Sequence, residues 1–517
     1  MTGSILQLVA YGIEDIFLTS DPQITYFKVV YKRHTNFSRE EIRQNFVEKP
    51  NFNTQVSANI SKNGDLMEKS YLVINLPQIN AFKNDNITKV AWTRYPGYSL
   101  IDTISIEING RQICKHYGEW MLLWNQMFNP HATDSAFKKM IGDVPELTEF
   151  SNGKDSYRIY IPLQFWFCRN SANALPLVSL EYCDVKINLS LKDWNDILLV
   201  TPTHYIICSD SIVTFNQYEY IEQNVDGVIS AGFFTYFDPY SKKLFYTLLT
   251  NNNLLPIPSN IVNKLKYTIY GKTSNSTASP AIQNPNSIII NPATHKYNKI
   301  SSLNLGDTFL LINYIFLDDD ERLRFVQSKH DYIIEQLYYN QYNNLVGPTE
   351  SILIDIENPC KYIIWVAQQQ YLYNAKDYYN YTPTYRHKRS YDTIGSNINV
   401  GDPMYDFDDS LIYYETLICN SKERLSYRDS KYFRLNQIYE KCVNTPASGV
   451  NAYFFSLDPN SIQHSGAYNM SKVEKIEIKI NTHPIISTNN IGLFRSYAEV
   501  MNILRISNGL GGIMFDK

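Results

Sequence analysis

The residues that could do chemistry are few and poorly spaced for it. Asp318-Asp319-Asp320-Glu321 puts four carboxylates in one run, a composition that attracts cations. A calcium loop alternates its ligands and carries a glycine at its bend, whereas adjacent carboxylates on a turn repel and stay solvated. The run therefore reads as a structural turn. His34, His116 and Glu119 lack the His-Glu-x-x-His spacing that sets two histidines on one helical face. His34 reads as a histidine that packs or hydrogen-bonds locally. Gly509-Leu510-Gly511-Gly512 comes just after Ser507, but no lysine and no strand–turn–helix context follow, which argues against a phosphate loop. A Gly-x-Ser-x-Gly nucleophile elbow is missing too. These residues assign no catalytic, cofactor-binding or metal-ligating position, and the chain reads as a non-enzyme.

The seven cysteines (114, 168, 183, 208, 360, 419, 442) are dispersed and form no Cys-x-x-Cys pair. That pattern argues against a zinc site or a disulfide framework and for folding in a reducing compartment. A signal peptide is not expected from the first residues, and Gly3 stands one place too late for myristoylation. No stretch approaches the ~18 apolar residues of a membrane span. Sequons at Asn36, Asn59, Asn86, Asn188, Asn275, Asn380 and Asn469 read as chance in an Asn-rich chain. The net charge is −4, and the basic runs Lys32-Arg33-His34 and Arg386-His387-Lys388-Arg389 are short. Direct nucleic-acid binding usually needs a basic face, so none is expected.

The elements that would position any site are strands. Ile104, Ile106 and Ile108 alternate with polar residues, as do Val185, Ile187, Leu189 and Leu191, and again Ile476, Ile478 and Ile480. Period two is the mark of a half-buried strand. Asn109-Gly110 after the first run is a tight-turn signal. The best helix candidate is Tyr117 to Phe128, and Phe325 to Tyr338 reads as a mixed or extended segment. The 41 tyrosines and 25 phenylalanines suit pleated surfaces and interfaces. Length alone calls for more than one domain.

Two regions share a layout. An aromatic strand around Arg158 to Phe167, a loop with Leu175-Pro176-Leu177, and the strand Glu181 to Leu191 resemble Gly449 to Leu457, a loop, and Val473 to Ile480. This reads as an internal duplication, with a first unit at 25–222, a hinge at Glu222 to Gly227, and a second unit at 223–510. Residues 1–24 precede the first unit and 511–517 form a tail. Long surface loops are expected at 129–154, 273–300 and 373–409.

The opening of the chain, Leu6-Gln7-Leu8-Val9-Ala10-Tyr11-Gly12 through Pro22-Gln23-Ile24-Thr25-Tyr26-Phe27 to Arg33-His34-Thr35-Asn36-Phe37, resembles that of the major capsid proteins of large nucleocytoplasmic DNA viruses. Further resemblance lies in Phe165 to Asn170 with Ala174 to Leu177, in Glu321 to Val326, in Lys361 to Val366, and in Arg424 to Asp429 with Tyr432-Phe433-Arg434. Gln463-His464-Ser465-Gly466 and Asn469-Met470-Ser471-Lys472 stand where the family often has Gln-Pro-Ser-Gly and Asn-Phe-Ser-Arg, with His464 and Lys472 as departures.

The resemblance implies an all-β fold of two tandem eight-stranded jelly rolls, a double jelly roll with long surface loops and a few short helices. It implies a major capsid protein whose homotrimers are pseudo-hexameric capsomers that tile an icosahedral virion shell, assembled in the host cytoplasm. The implied partners are other copies of the chain, minor capsid proteins, and an internal virion membrane reached by the inward-facing N-terminal segment. No cofactor and no small-molecule substrate are implied. The Tyr-rich loop from Tyr371 to Tyr385 is expected at the trimer top or interface. The alternatives are a glycan-binding or glycan-processing β-sandwich protein, and a minor capsid or spike protein of the same fold.

Overall fold

Apolar alternation becomes strands where it is strongest. In the computed structural model, which describes residues 3–10, 12–29, 31–80, 88–216, 219–248, 253–260, 263–272, 274–282, 303–374, 376–383, 410–488 and 490–515, Val185, Ile187, Leu189 and Leu191 all turn into a core while Lys186, Asn188 and Ser190 stay half-buried. Eight strands make a first sandwich: β1 (Phe37–Gln44), β2 (Gln55–Asn59), β3 (Leu66–Leu76), β4 (Ile101–Ile108), β5 (Arg111–Tyr117), β6 (Tyr157–Pro162), β7 (Val185–Leu191) and β8 (Thr308–Leu317). They pair antiparallel in two sheets, β1-β8-β3-β6 and β2-β7-β4-β5.

Eight more strands follow: β9 (His330–Leu345), β10 (Thr349–Ile354), β11 (Pro359–Gln369), β12 (Ile412–Cys419), β13 (Lys422–Asp429), β14 (Val450–Phe454), β15 (Ile476–Thr482) and β16 (Gly492–Ser507). Their sheets are β9-β16-β11-β14 and β10-β15-β12-β13. Adding eight to each label of the first sandwich reproduces the second. An eight-stranded double sheet of this order is a jelly roll, so the chain is a double jelly roll. The duplication read from the sequence extends to detail. Leu175–Pro176 pairs with β3 and runs into a 3-10 turn, and Tyr468–Asn469 pairs with β11 and does the same.

The tight turns agree as well. Asn109 and Gly110 both have left-handed φ (53° and 76°) between β4 and β5, and Asn420 and Ser421 repeat this (49° and 60°) between β12 and β13. Two left-handed residues give the turn whose twist matches a hairpin.

The expected boundary at residue 222 is displaced. Glu222 to Gly227 is no hinge: Tyr220–Val225 and Val228–Asp238 form a hairpin across Asp226 and Gly227. Asp-Gly between apolar strands is a turn signal, and reading its polarity as a linker missed that. The hairpin belongs to a separate six-stranded sheet within 204–278, with its own core around Phe234, Leu244 and Tyr246. This module is inserted between β7 and β8, so the first sandwich takes its last strand from residues 308–317. A helix, α2 (Asp319–Gln327), then leads into β9. The segment Phe325 to Tyr338 is thus the end of a helix followed by a strand. At the other end, Leu510–Ile513 pairs with β16, so 511–513 belong to a hairpin and not to a tail.

The expected helix is α1 (Gly118–Phe128). Of the long loops, 129–154 holds helices Ser135–Ile141 and Pro145–Thr148, while 283–302 and 384–409 lie outside the described residues. Among the described residues no helix is long and apolar enough to cross a membrane.

Candidate functional site

The residues that tempted a chemical reading are used structurally. Asp318 caps α2, accepting from the Asp319 amide at 3.1 Å, and Asp319, Asp320 and Glu321 fill its first turn. Carboxylates there offset the positive end of the helix dipole. His34 is exposed, with Nδ1 2.7 Å from the Thr35 carbonyl. His116 is buried, its ring 4.3 Å from Trp120 and 4.9 Å from Phe165. Burial, with the Arg169 guanidinium nearby, pushes its pKa down to about 3, so it is a neutral core ring. Asn508 and Gly509 are the left-handed turn between β16 and Leu510–Ile513. Six cysteines are buried and Cys442 is half-buried, and burial pushes the Cys114 and Cys168 thiols up to about 12. Among the described residues no group of three or more His, Cys, Asp or Glu side chains could hold a metal.

The polar groups that do converge lie in the seam between the two sandwiches. α1 follows β5 of the first sandwich and is wedged against the outer face of the β9-β16-β11-β14 sheet. Strand β11 therefore has two buried faces: Ile363, Trp365 and Ala367 point into the second sandwich, and Tyr362, Ile364 and Val366 into the seam. Phe128 meets Tyr362 at 5.5 Å and Phe454 at 6.4 Å, and Tyr117 meets Tyr339 at 4.3 Å.

Two balanced charge clusters sit within this apolar contact. In one, Glu119 Oε1 accepts from Tyr381 Oη (2.7 Å) and Arg495 Nη2 (2.8 Å), while Oε2 accepts from Tyr497 Oη (2.5 Å). Arg495 also donates to Gln368 Oε1 at 2.6 Å. In the other, Arg169 from the first sandwich grips Glu499 of β16 with both Nη atoms (3.1 and 2.7 Å), and Lys361 lies between Glu335 and Glu499 at 3.2 and 3.3 Å. The Arg169 guanidinium also stacks over Trp124, 4.8 Å from its centroid. Burial alone would raise the Glu499 pKa, but Arg169 and Lys361 outweigh it and hold the carboxyl well below the usual range. Two cations against two anions, and one against one, leave no net charge buried, which is the condition for tolerating such groups.

Main-chain contacts extend the seam. The Val443 and Asn444 amides both donate to the Met127 carbonyl (3.0 and 3.1 Å), and the Tyr182 amide donates to the Gly509 carbonyl (3.1 Å). The described part of the Tyr-rich loop also serves this joint and does not stand free. Tyr381 reaches Glu119, Tyr379 packs edge-on against Tyr95 at 5.4 Å, and Tyr378 Oη donates to the Asp196 carbonyl at 2.8 Å. Position 385 lies outside the described residues. The arrangement holds two modules rigidly together. Sequence reasoning singled out Glu119 for the wrong chemistry and passed over Arg495 and Glu499. No local spacing marks them, because their partners Glu119 and Arg169 are brought in by folding from the first sandwich.

Two jelly rolls of one topology, joined by a buried seam, define a double jelly-roll protein of the kind that builds viral shells. Residues 25–228 match the family model described as major capsid protein N-terminus, and residues 321–512 match that of the large eukaryotic DNA virus major capsid protein. The chain is 37% identical to probable capsid protein 4 of Acanthamoeba polyphaga mimivirus, over the whole of both chains. It is 27% identical to the major capsid protein of Phaeocystis pouchetii virus, again over the whole of both. Among solved structures, VP54 of PBCV-1 has the same fold, with a TM-score of 0.63 at 21% identity over 95% of this chain and 100% of that one. The chain belongs to the major capsid protein family of large eukaryotic DNA viruses. It is a structural protein of the virion and not an enzyme, which removes the glycan-processing alternative.

Proposed function

We propose that three copies of this chain close into a trimer whose six sandwiches give a nearly hexagonal capsomer, and that these capsomers tile an icosahedral shell. The observation that carries this reading is the identical strand order of the two sandwiches, joined by a buried seam. Two alike units per chain and three chains make six alike lobes, and a six-sided tile covers a surface without gaps. A closed ring suits the contact, because head-to-tail interfaces either close or grow without end. Contacts within the trimer are then large and apolar, while those between trimers are weaker and gain durability by number.

Residues 1–24 face inward in this reading, toward minor capsid proteins and the internal virion membrane. Their apolar side chains lie open in the single chain: Phe17 is 87% exposed and Leu18 83%. The seven free, mostly buried cysteines are in keeping with assembly in the reducing host cytoplasm. In domain terms, the first jelly roll runs from 37 to 317 with the 204–278 module as an insertion, and the second from 330 to 513. Native mass measurement of the purified chain tests the trimer. The expected species is three times the 60.0 kDa chain mass, and a stable monomer at micromolar concentration overturns the reading.

A further inference from the structure

The module inserted between β7 and β8 has a shape and a surface that a shell does not require. Its strands pair in the order His204–Ile207, Lys243–Leu248, Val228–Asp238, Tyr220–Val225, Ile269–Gly271, Thr277–Ala278. The two ends then meet. The Ser209 amide donates to the Ser279 carbonyl and the Ala281 amide to the Ile207 carbonyl, both at 2.8 Å. The sheet thus closes into a small barrel, with Ile206, Phe234, Leu244 and Tyr246 inside it. A closed barrel offers no free edge to which a partner strand can add.

Strand alternation puts an aromatic row on the outside of this barrel. Across three adjacent strands Tyr205 pairs with Phe245 and Phe245 with Tyr236, while their neighbours Ile206, Leu244 and Phe237 turn inward. The ring centroids lie 5.8 and 6.2 Å apart, and Lys243 Nζ sits 4.6 Å from the Tyr205 centroid. Tyr236 is 43% exposed, and Tyr205 and Phe245 are half-buried. Contiguous rings open to solvent mark a binding surface. The barrel also stands at one end of the first sandwich, carried on a ribbon of Lys89–Trp92 and Leu198–Thr201. Because the strands alternate in direction, the β1–β2, β3–β4, β5–β6 and β7–β8 connections share that end. Residues 1–24 lead into β1 from the opposite end. If they face inward, as proposed above, the barrel is on the outside of the shell.

We infer that the Tyr205, Phe245 and Tyr236 row binds a neutral glycan. A pyranose has a face of C–H bonds that lies flat on an aromatic ring, and a rim of hydroxyls. The Tyr205 and Tyr236 hydroxyls and the Lys243 ammonium border the row and supply donors and acceptors for that rim. Charge selects against the other ligands that stack on rings. Residues 204–282 hold five lysines against five carboxylates and no arginine. Two of those lysines, Lys272 and Lys266, are paired with Glu222 and Asp226. A single-stranded nucleic acid needs a basic track beside its stacked bases, and an anionic glycan needs the same. A stable protein partner takes roughly 20–30 residues a side, against a row of three rings here. A few stacked sugars bind weakly, but a shell that repeats the row in every copy turns weak contacts into firm attachment. Only the outward placement rests on the inward reading of residues 1–24; the binding row does not.

Saturation-transfer NMR on the purified full-length chain tests the row. The probes are cellohexaose, mannohexaose and chitohexaose, with a heparin hexasaccharide as the anionic contrast. At least one neutral probe should bind with a Kd in the millimolar range or tighter. Tyr236→Ala should weaken that binding roughly tenfold or more, the usual worth of a stacked ring, at an unchanged melting temperature. Tyr236→Phe keeps the ring and should keep the affinity, and Phe245→Ala is the second variant should the first misfold. Three results each overturn the inference: no neutral probe binds, heparin binds more tightly than all three, or affinity survives the loss of either ring. None of them bears on the trimer, which native mass decides. Assembled shells read the orientation separately. Shells that fail to bind a probe the free chain binds overturn the inward placement of residues 1–24 and leave the glycan site standing.

Discussion

Glu119 and Arg495 face each other across the seam, with Nε 2.6 Å from Oε2 and both groups largely removed from water. One follows β5 of the first jelly roll and the other lies on β16 of the second, far apart in sequence. Removing either partner alone leaves a buried charge uncompensated, a change that costs about 3–5 kcal/mol. Removing both leaves no such charge. Glu119→Gln and Arg495→Met should each lower the denaturation midpoint strongly, and the double variant should lose much less than the two losses added. Additive losses in chemical denaturation would show that the pair is not coupled.

Glu415 sets a different pH dependence. It lies inside the second jelly roll, where Trp365 Nε1 donates to Oε2 at 2.5 Å. Burial raises its pKa from 4.5 to about 8, although Trp365, Ser430 and Arg434 partly oppose this. Between those two values the folded chain holds a proton that the unfolded chain has released. Unfolding free energy must then fall as pH rises through this window, with a slope of up to about 1.4 kcal/mol per pH unit. Glu415→Gln keeps an acceptor for Trp365 and removes the titration. Denaturation series at pH 5 and pH 8 should show the variant gaining on the wild type at the higher pH, and equal slopes would rule the effect out.

Much of this was legible because local and global preferences agree. Val185 to Leu191 and Ile476 to Ile480 alternate cleanly, so strand and buried face follow from period two. Asn109-Gly110 announces its own turn. The matching turn at Asn420-Ser421 was silent, since serine is not a residue that favours left-handed φ. The seam was silent for another reason. Glu119, Arg495 and Glu499 are neutralised only by partners that folding brings together, so no spacing in the chain displays them. The insertion was misread because a polar Asp-Gly turn looks like a linker until its flanking strands are paired. The silent turn offers its own check. Ser421 sits at φ 60°, so Ser421→Gly relieves a strained backbone. It should stabilise the second jelly roll by about 0.5–1 kcal/mol, read as a higher melting temperature, and a lower one would mean that the serine side chain has a partner worth more than the strain.

The N-terminal segment gives the last test. Helices Gly3–Val9 and Ile13–Thr19 precede the first strand, and Leu8, Phe17 and Leu18 are exposed in the single chain, Phe17 by 87%. A seven-residue helix is about 10 Å long, a third of the ~30 Å hydrocarbon core, so it can lie on a bilayer but not cross it. Glu14 and Asp15 in its first turn disfavour an anionic surface. Because these side chains take no part in the cores, deleting residues 1–24 should leave the melting temperature of the trimer unchanged. If the segment meets the membrane, the full chain should float with neutral phosphatidylcholine vesicles and the truncated chain should not. A full chain that fails to float limits the segment to protein partners, and a truncated chain that still floats moves the membrane contact elsewhere on the jelly rolls.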